Sequence, residues 1–254
     1  MTMATPAPNW FDRGGAAYAL HRPDYPDALA DALAERAPRR DCALDVGCGS
    51  GQFARLLANR FAHVTALDPS ADQLAHATPH PRIRYVQAPA ERLEVADGSA
   101  ALVAAAQAAH WFDLPAFYAE VRRVAAPGAV VALVSYGVLR LDGGEGEADA
   151  RFRRFYAGEI GPYWPPERRL VDEGYASIPF PFAEIPLPPL VIRRDWTLTE
   201  LLGYIGTWSA TRRAREAGAG ALLDRFAADM AALWGDPATA RPVTWPVNGR
   251  IGTV

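Results

Sequence analysis

Asp45, Gly47, Gly49 and Gly51 alternate in "DVGCGSG", which gathers one carboxylate and three permissive backbone positions into a single short stretch. Without Cβ atoms such a turn can bend sharply and let a ligand lie against its main-chain atoms. A second acid, Asp68, closes the apolar run "HVTALD" 23 positions after Asp45. At the end of the strand that follows a glycine turn, a carboxylate is suited to accept hydrogen bonds from the two hydroxyls of a ribose. The register departs from G-x-G-x-x-G because Gln52 stands at the third glycine, and the Lys-Ser/Thr of a phosphate loop is missing. A dinucleotide or a nucleoside triphosphate is therefore disfavoured. The remaining candidate for acid–base chemistry is His110, in "VAAAQAAHWFD", Val103 to Asp113. It reads either as a general base at the end of a strand or as a residue that positions a ligand.

The elements that must hold these groups alternate. "YPDALADALAERAP" has helix composition, with Pro26 near its start and Pro38 at its end. "DCALDVGCGSGQFARLLANRF" reads as strand, glycine turn and helix, the helix carried by Phe53, Leu56, Leu57 and Phe61 at helical spacing. Strands "HVTALD", "RIRYVQA" and "ALVAAAQA" follow, with a short helix after Ser70. "DLPAFYAEVRRVAAPG" is predicted as a helix with Asp113 as N-cap, Leu114, Phe117, Val121 and Val124 on one face, and Gly128 at its end. "AVVALVSYG" then reads as a fifth buried strand, which puts His110 at the end of the fourth. Strands alternating with helices pair in parallel through right-handed crossovers, so a doubly wound α/β sheet covered on both faces is expected.

Residues 1–137 thus read as one cofactor-binding half. Beyond Gly137, "DGGEGEAD" is a hinge-like polar turn, and the aromatic, arginine-rich stretch after it looks inserted, which sets a cap at 138–181. Residues 182–254, with "PLVIRRDW", the helical "LTELLGYIGTWSATRRA" and "ALLDRFAADMAALWGD", and "VTWPVNGRIGTV", complete the sheet.

Composition bounds the function classes. A net charge of -3 gives no general attraction for nucleic acid or an anionic membrane. The two cysteines, Cys42 and Cys48, are too few for a disulfide framework and fit a reducing, cytoplasmic setting. The start "MTMATPAPNW" has no secretory pattern, and no run reaches the roughly 18 apolar residues of a membrane span. No metal site is expected: His76 and His80 are separated by Pro79, which breaks the helix that would align them.

"LDVGCGSGQFARLLA", "ALDPSADQLAHA", "APAERLEVADGSAALVAAAQAAHWFD" and "EVRRVAAPGAVVAL" resemble the successive signature blocks of class I S-adenosylmethionine-dependent methyltransferases. The "HW" ending makes the chain most similar to the type 11 group, and within it to small-molecule enzymes of the trans-aconitate methyltransferase kind. "YALHRPDYP" and "LLGYIGTWSA" match that group as well. The resemblance implies a Rossmann-like, mostly parallel seven-stranded sheet with an inserted cap after strand five. It also implies S-adenosyl-L-methionine as cofactor, S-adenosyl-L-homocysteine as product and a small-molecule acceptor as the partner of a monomer or homodimer. Carried over by position, Asp45 and the backbone at Gly47, Cys48, Gly49 and Gly51 would hold the methionine part, and Asp68 with Pro69 the ribose. Ala90 and Glu91 would border the adenine, although Pro89 replaces an acid common before that alanine. Gln107 would approach the cofactor. Tyr18 and Arg22 resemble an N-terminal cap over the sulfonium and the carboxylate; the alternative reading of both is an amphipathic surface helix.

The acceptor is then expected beside His110, Trp111 and Tyr136, under Tyr163 and Trp164, with Tyr204 and Trp208 behind; the last two have core spacing. Arginine pairs at 153/154, 168/169, 193/194 and 212/213 are either solvated faces or recognition groups for an acidic substrate. A carboxylate acceptor needs no base near pH 7, whereas an alcohol, phenol, amine or carbon acceptor would give His110 a proton to remove. Methyl transfer to oxygen leads, with nitrogen or carbon methylation and a non-catalytic cofactor-binding protein as alternatives.

Overall fold

In the computed structural model, residues 21–254 are described, so the expectation for Tyr18 lies outside the described residues. Helix α1 (Asp27–Arg36) precedes β1 (Cys42–Val46), α2 (Gln52–Ala58), β2 (His63–Asp68), α3 (Ala71–Ala75) and β3 (Ile83–Gln87). Then come β4 (Ala100–Ala106), a 3₁₀ turn at Ala109–Trp111, α4 (Leu114–Val124), β5 (Ala125–Tyr136) and the two-residue β6 (Arg140–Leu141). Helix α5 (Gly146–Arg154), a π turn at Phe155–Glu159, a 3₁₀ turn at Gly161–Tyr163 and α6 (Arg168–Asp172) lead to β7 (Ala183–Ile185) and β8 (Leu190–Trp196). The chain ends through α7 (Leu198–Gly206), α8 (Ser209–Glu216), α9 (Gly220–Trp234) and β9 (Arg241–Thr253).

The sheet runs β3-β2-β1-β4-β5-β9-β6, and β7 and β8 also pair with β9. Pairing is parallel from β3 through β5 and antiparallel wherever β9 takes part. The architecture is the expected doubly wound α/β sheet, with nine strands rather than seven. The two strands off the main path, β7 of three residues and β8 of seven, both pair with β9, whose 13 residues are long enough to serve β5, β6, β7 and β8.

Period-two alternation explains why both faces are buried. Ala43, Leu102, Val130, Ala132 and Val134 point to the side covered by α1 and α2 and the helices from α5 onward except α6. Leu44, Val103, Ala105, Val131 and Leu133 point to the side covered by α4. The alanines of β4 let these layers approach closely, and the strand is fully buried from Ala100 to Ala105.

Two expected boundaries move. Helix α4 is capped by Asp113 as predicted, with its carboxylate 3.3 Å from the Ala116 N–H, but ends at Val124; Gly128 (φ +74°) lies within β5 near a register shift and closes no helix. The glycine makes an irregularity in an extended chain, which a helix-stop reading of "APG" cannot distinguish from a helix end. Residue 110 belongs to the 3₁₀ turn after β4 rather than to the strand, because Gln107 adopts φ +57° and turns the chain out of the sheet.

The β5–β9 contact gives a test. A Cβ on Gly249 would lie 2.3 Å from the Leu133 carbonyl oxygen and 2.9 Å from Val134 Cα, backbone that cannot swing aside. Gly249→Ala is expected to destabilise the protein by about 1–3 kcal/mol in denaturant unfolding. Gly206→Ala, with open space around its Cβ, should be neutral or mildly stabilising. Equal midpoints for the two variants would contradict the close approach.

Candidate active site

The strand order reverses between β1 and β4, and the carboxyl ends of β1, β2 and β4 open on one edge, the place where doubly wound sheets bind ligands. The turn after β1 is laced to the end of β2. Gly47 N–H and Cys48 N–H both donate to the Leu67 carbonyl, at 2.7 and 3.0 Å. Gly49 N–H donates to Asp68 Oδ2 and Ser70 N–H to Asp68 Oδ1, each at 2.8 Å. Gly47 (φ +72°) and Gly51 (φ +81°) sit in the left-handed region, and a Cβ there would come within 2.5 Å of Ala108 Cβ and 2.3 Å of Tyr85 Oη respectively. The turn's own packing therefore demands these two glycines. Gly49 differs: a Cβ there would meet only Gln73 Oε1, at 3.5 Å, so this is the glycine open to a ligand.

Asp45 is fully buried at the end of β1, and neither carboxylate oxygen has a hydrogen-bond partner of regular geometry among the described residues. Burial pushes its carboxyl up to about 7; the Ala54 N–H offsets part of this and the Asp68 charge adds to it. Gln73 Oε1 and Ser50 Oγ are buried beside the same turn, with no hydrogen-bond partner among the described residues. A buried acid short of donors suits a ligand that brings a cation or several N–H groups. Cys48 is buried, and its thiol, pushed well up by that burial, stays protonated.

On the far side of the edge, Ala90 is buried and Glu91 half-buried. Glu91 Oε1 accepts from the Asp113 N–H at 2.9 Å, tying the loop after β3 to the start of α4. Pro69 O accepts from Gln87 Nε2 at 3.1 Å, and Pro89 is exposed beside Ala90. Gln107 Oε1 accepts from the Tyr136 N–H at 2.9 Å, which locks the ends of β4 and β5 together. Arg22 reaches into the same region: its Nη1 donates to Tyr136 Oη at 3.0 Å, its Nε to Thr207 Oγ1 at 3.0 Å, and its guanidinium lies 5.3 Å from the Tyr204 ring centre.

His110 packs against Trp111, with ring centres 4.8 Å apart, and its Nδ1 is 2.8 Å from Tyr175 Oη. Desolvation, with the positive charges of Arg168 and Arg22, pushes its pKa down to about 3. The ring is therefore neutral at physiological pH and a poor proton acceptor. Tyr175, fully buried at φ +64°, is a residue that sequence reasoning missed; a bulky side chain in a left-handed conformation has no signature in "DEGYAS". Trp164 and Trp208 pack at 5.1 Å, Tyr156 joins them at 5.5 and 5.7 Å, and Tyr204 meets Trp208 edge-on at 5.5 Å. Tyr204 and Trp208 are buried, while Tyr163 and Trp164 remain partly exposed. The structure thus gathers Trp164, Tyr204 and Trp208 in one aromatic wall and leaves His76 exposed and His80 half-buried, away from it. Among the described residues no three metal-ligating side chains come together, and no helix is long and apolar enough to cross a membrane.

A doubly wound sheet with an acid and glycine turn at its switch point, and an acid at the next strand end, is the arrangement in which such sheets hold nucleoside-type ligands. Comparison with known proteins makes the class specific. The type 11 family of methyltransferase domains matches residues 44–133. A methyltransferase of Dictyostelium discoideum is 32% identical over 82% of this chain and 81% of that protein. A solved structure from Anaeromyxobacter dehalogenans, described as a type II methyltransferase, is 47% identical, with a TM-score of 0.84 over 91% of this chain and 97% of that one. A malonyl-[acyl-carrier protein] O-methyltransferase of Pectobacterium atrosepticum is 38% identical over 36% of this chain and 37% of that enzyme. The chain belongs to the S-adenosylmethionine-dependent methyltransferases, type 11 group.

The buried Asp45 has a measurable consequence. Because its folded pKa is raised above the ordinary carboxyl value, the apoprotein binds the extra proton between about pH 4 and 7 and loses stability as pH rises through that window. Asp45→Asn removes this penalty, so the variant's stability relative to the parent, measured by denaturant unfolding, should rise by a few kcal/mol from pH 5 to pH 8. A difference independent of pH would contradict the buried, donor-poor setting.

Proposed function

We propose that this methyltransferase methylates an oxygen of a small molecule, a carboxylate before a hydroxyl. The observation that carries the reading is the neutral, weakly basic His110 at the acceptor side, with its Nδ1 already engaged by Tyr175. Nothing about that histidine suits it to strip a proton from an alcohol or amine, whereas a carboxylate arrives ionised. The similarity to O-methyltransferases of malonyl-[acyl-carrier protein] supports an oxygen nucleophile, although it spans little more than a third of each chain for the Pectobacterium enzyme.

The residues present fit the cofactor. Bound S-adenosyl-L-methionine would supply an electrophilic sulfonium methyl for in-line displacement. Asp45 would receive the methionine ammonium through the donor-poor carboxylate described above, and Gly49 would let that part lie against the turn. Asp68, which accepts the Gly49 and Ser70 N–H groups, would receive the ribose hydroxyls. Ala90 and Glu91 would flank the adenine. Gln107, bonded to Tyr136, would hold the floor between cofactor and acceptor, and Arg22 with Tyr136 and Thr207 would close one side. His110 and Trp111 orient the acceptor and exclude water, since alignment and desolvation are what this displacement needs from the protein. In this reading residues 1–137 bind the cofactor, and residues 138–181 with the helices of 182–254 cover the acceptor.

Calorimetry with S-adenosyl-L-homocysteine tests the cofactor assignment. Asp68→Ala is expected to weaken binding by about tenfold or more, the worth of hydrogen bonds to a charged acceptor; unchanged affinity would remove Asp68 from the site. For the acceptor side, turnover should show no histidine inflection between about pH 6 and 8. A fall in kcat through that window that His110→Ala abolishes would restore the base assignment.

A further inference from the structure

Asp45, Ser50, Asp68, Ser70 and Gln73 are polar residues withdrawn from solvent at the edge that holds the glycine turn. The bonds that shape the turn account for Asp68 and Ser70. Asp68 accepts the Gly49 and Ser70 N–H groups, and Ser70 Oγ accepts the Gln73 N–H at 3.3 Å as the cap of α3. The Gln73 side chain has no such role. The residue is 3% exposed, and no described residue donates to its Oε1. An unmet buried acceptor weakens a folded protein, and an apolar side chain of the same size would fill this space against β2 and β3 without that cost.

The amide lies where a ligand would meet it. Oε1 faces the open side of Gly49, 3.5 Å from the point a Cβ would occupy. Gly49 N–H is in turn 2.8 Å from Asp68 Oδ2, so the unmet acceptor of Gln73 and the carboxylate of Asp68 flank one glycine. A ribose brings two adjacent O–H donors to the end of this strand. Both oxygens of Asp68 already accept a main-chain N–H, and a neutral acceptor alongside extends the site without setting a second negative charge against the first. The cofactor's other donors have other destinations: the ammonium would meet Asp45, and the adenine amine the loop at Ala90 and Glu91.

We propose that Gln73 is a second ribose-binding residue, its Oε1 accepting one hydroxyl of the cofactor ribose while Asp68 accepts the other. This rests on the reading of the Asp68 edge as the S-adenosyl-L-methionine site. The ribose supplies the donor that the protein does not, so Gln73 weakens the empty protein and strengthens the loaded one. A residue retained for packing alone would instead stabilise the empty protein.

The test pairs two readouts on the full chain carrying Gln73→Met, which keeps the length of the side chain and removes the acceptor. Without ligand, the variant should unfold at the same denaturant midpoint as the parent or a higher one, because an unmet buried acceptor is gone. In calorimetry its affinity for S-adenosyl-L-homocysteine should fall about three- to tenfold, the worth of a neutral hydrogen bond. The 2′-deoxy and 3′-deoxy forms of S-adenosyl-L-homocysteine then locate the partner. Parent and variant should bind one of the two forms equally, the one that lacks the hydroxyl accepted by Gln73, and should still differ on the other. A lowered midpoint, or a variant that does not fold, would make Gln73 a structural residue and overturn the proposal. Unchanged affinity for S-adenosyl-L-homocysteine, or a loss that persists in full with both deoxy forms, would overturn it as well and leave the cofactor site standing. Failure of the parent protein to bind S-adenosyl-L-homocysteine would instead sink the cofactor reading itself.

Discussion

The Asp68 carboxylate is the tie on which the site depends. By accepting the Gly49 and Ser70 N–H groups it joins the turn after β1 to the start of α3, across two adjacent parallel strands. Buried main-chain donors need partners, and an ionised acceptor satisfies them more strongly than a neutral one. The same group thus shapes the glycine turn and lies at the carboxyl end of β2. Asp45 is its counterpart: a fully buried acid with no comparable donors, costly to ionise until a ligand supplies them.

On the other side of β4, burial lowers the basicity of His110, and the charges of Arg168 and Arg22 add to the effect, so the ring stays neutral. Arg22 bonds Tyr136 and Thr207, and Gln107 bonds the backbone of the same tyrosine, so the ends of β4 and β5 and the helices after β8 are held in one network. Methyl transfer from an activated donor asks for alignment and exclusion of water more than for a base, and a rigid, weakly basic wall meets that demand.

Much of this was legible before any coordinates. The alternation of strand and helix, the short helix after Ser70, the N-cap Asp113 and the acid–glycine turn are local patterns, and each lies where its spacing placed it. Local pattern was less reliable where one residue type serves two ends. Gly128 looked like a helix stop and is a strand irregularity; His110 looked like the end of a strand and lies in a turn, because Gln107 takes a left-handed backbone that no neighbour in "AAAQAAHW" announces. The glycines at 47 and 51 were expected to make room for a ligand and instead make room for Ala108 and Tyr85, side chains distant in sequence.

The sequence by itself determined the sheet's parallel core, the acid–glycine turn and the family, since these rest on short-range periodicity and on spacing within single strand–turn–helix units. Tertiary structure alone decided how β9 unites four strands and that Tyr175 engages His110. Those outcomes depend on contacts between segments distant in the chain, such as the 65 residues between His110 and Tyr175. The free energy of a charge is set by what surrounds it in space, and that information is not carried by its neighbours along the chain.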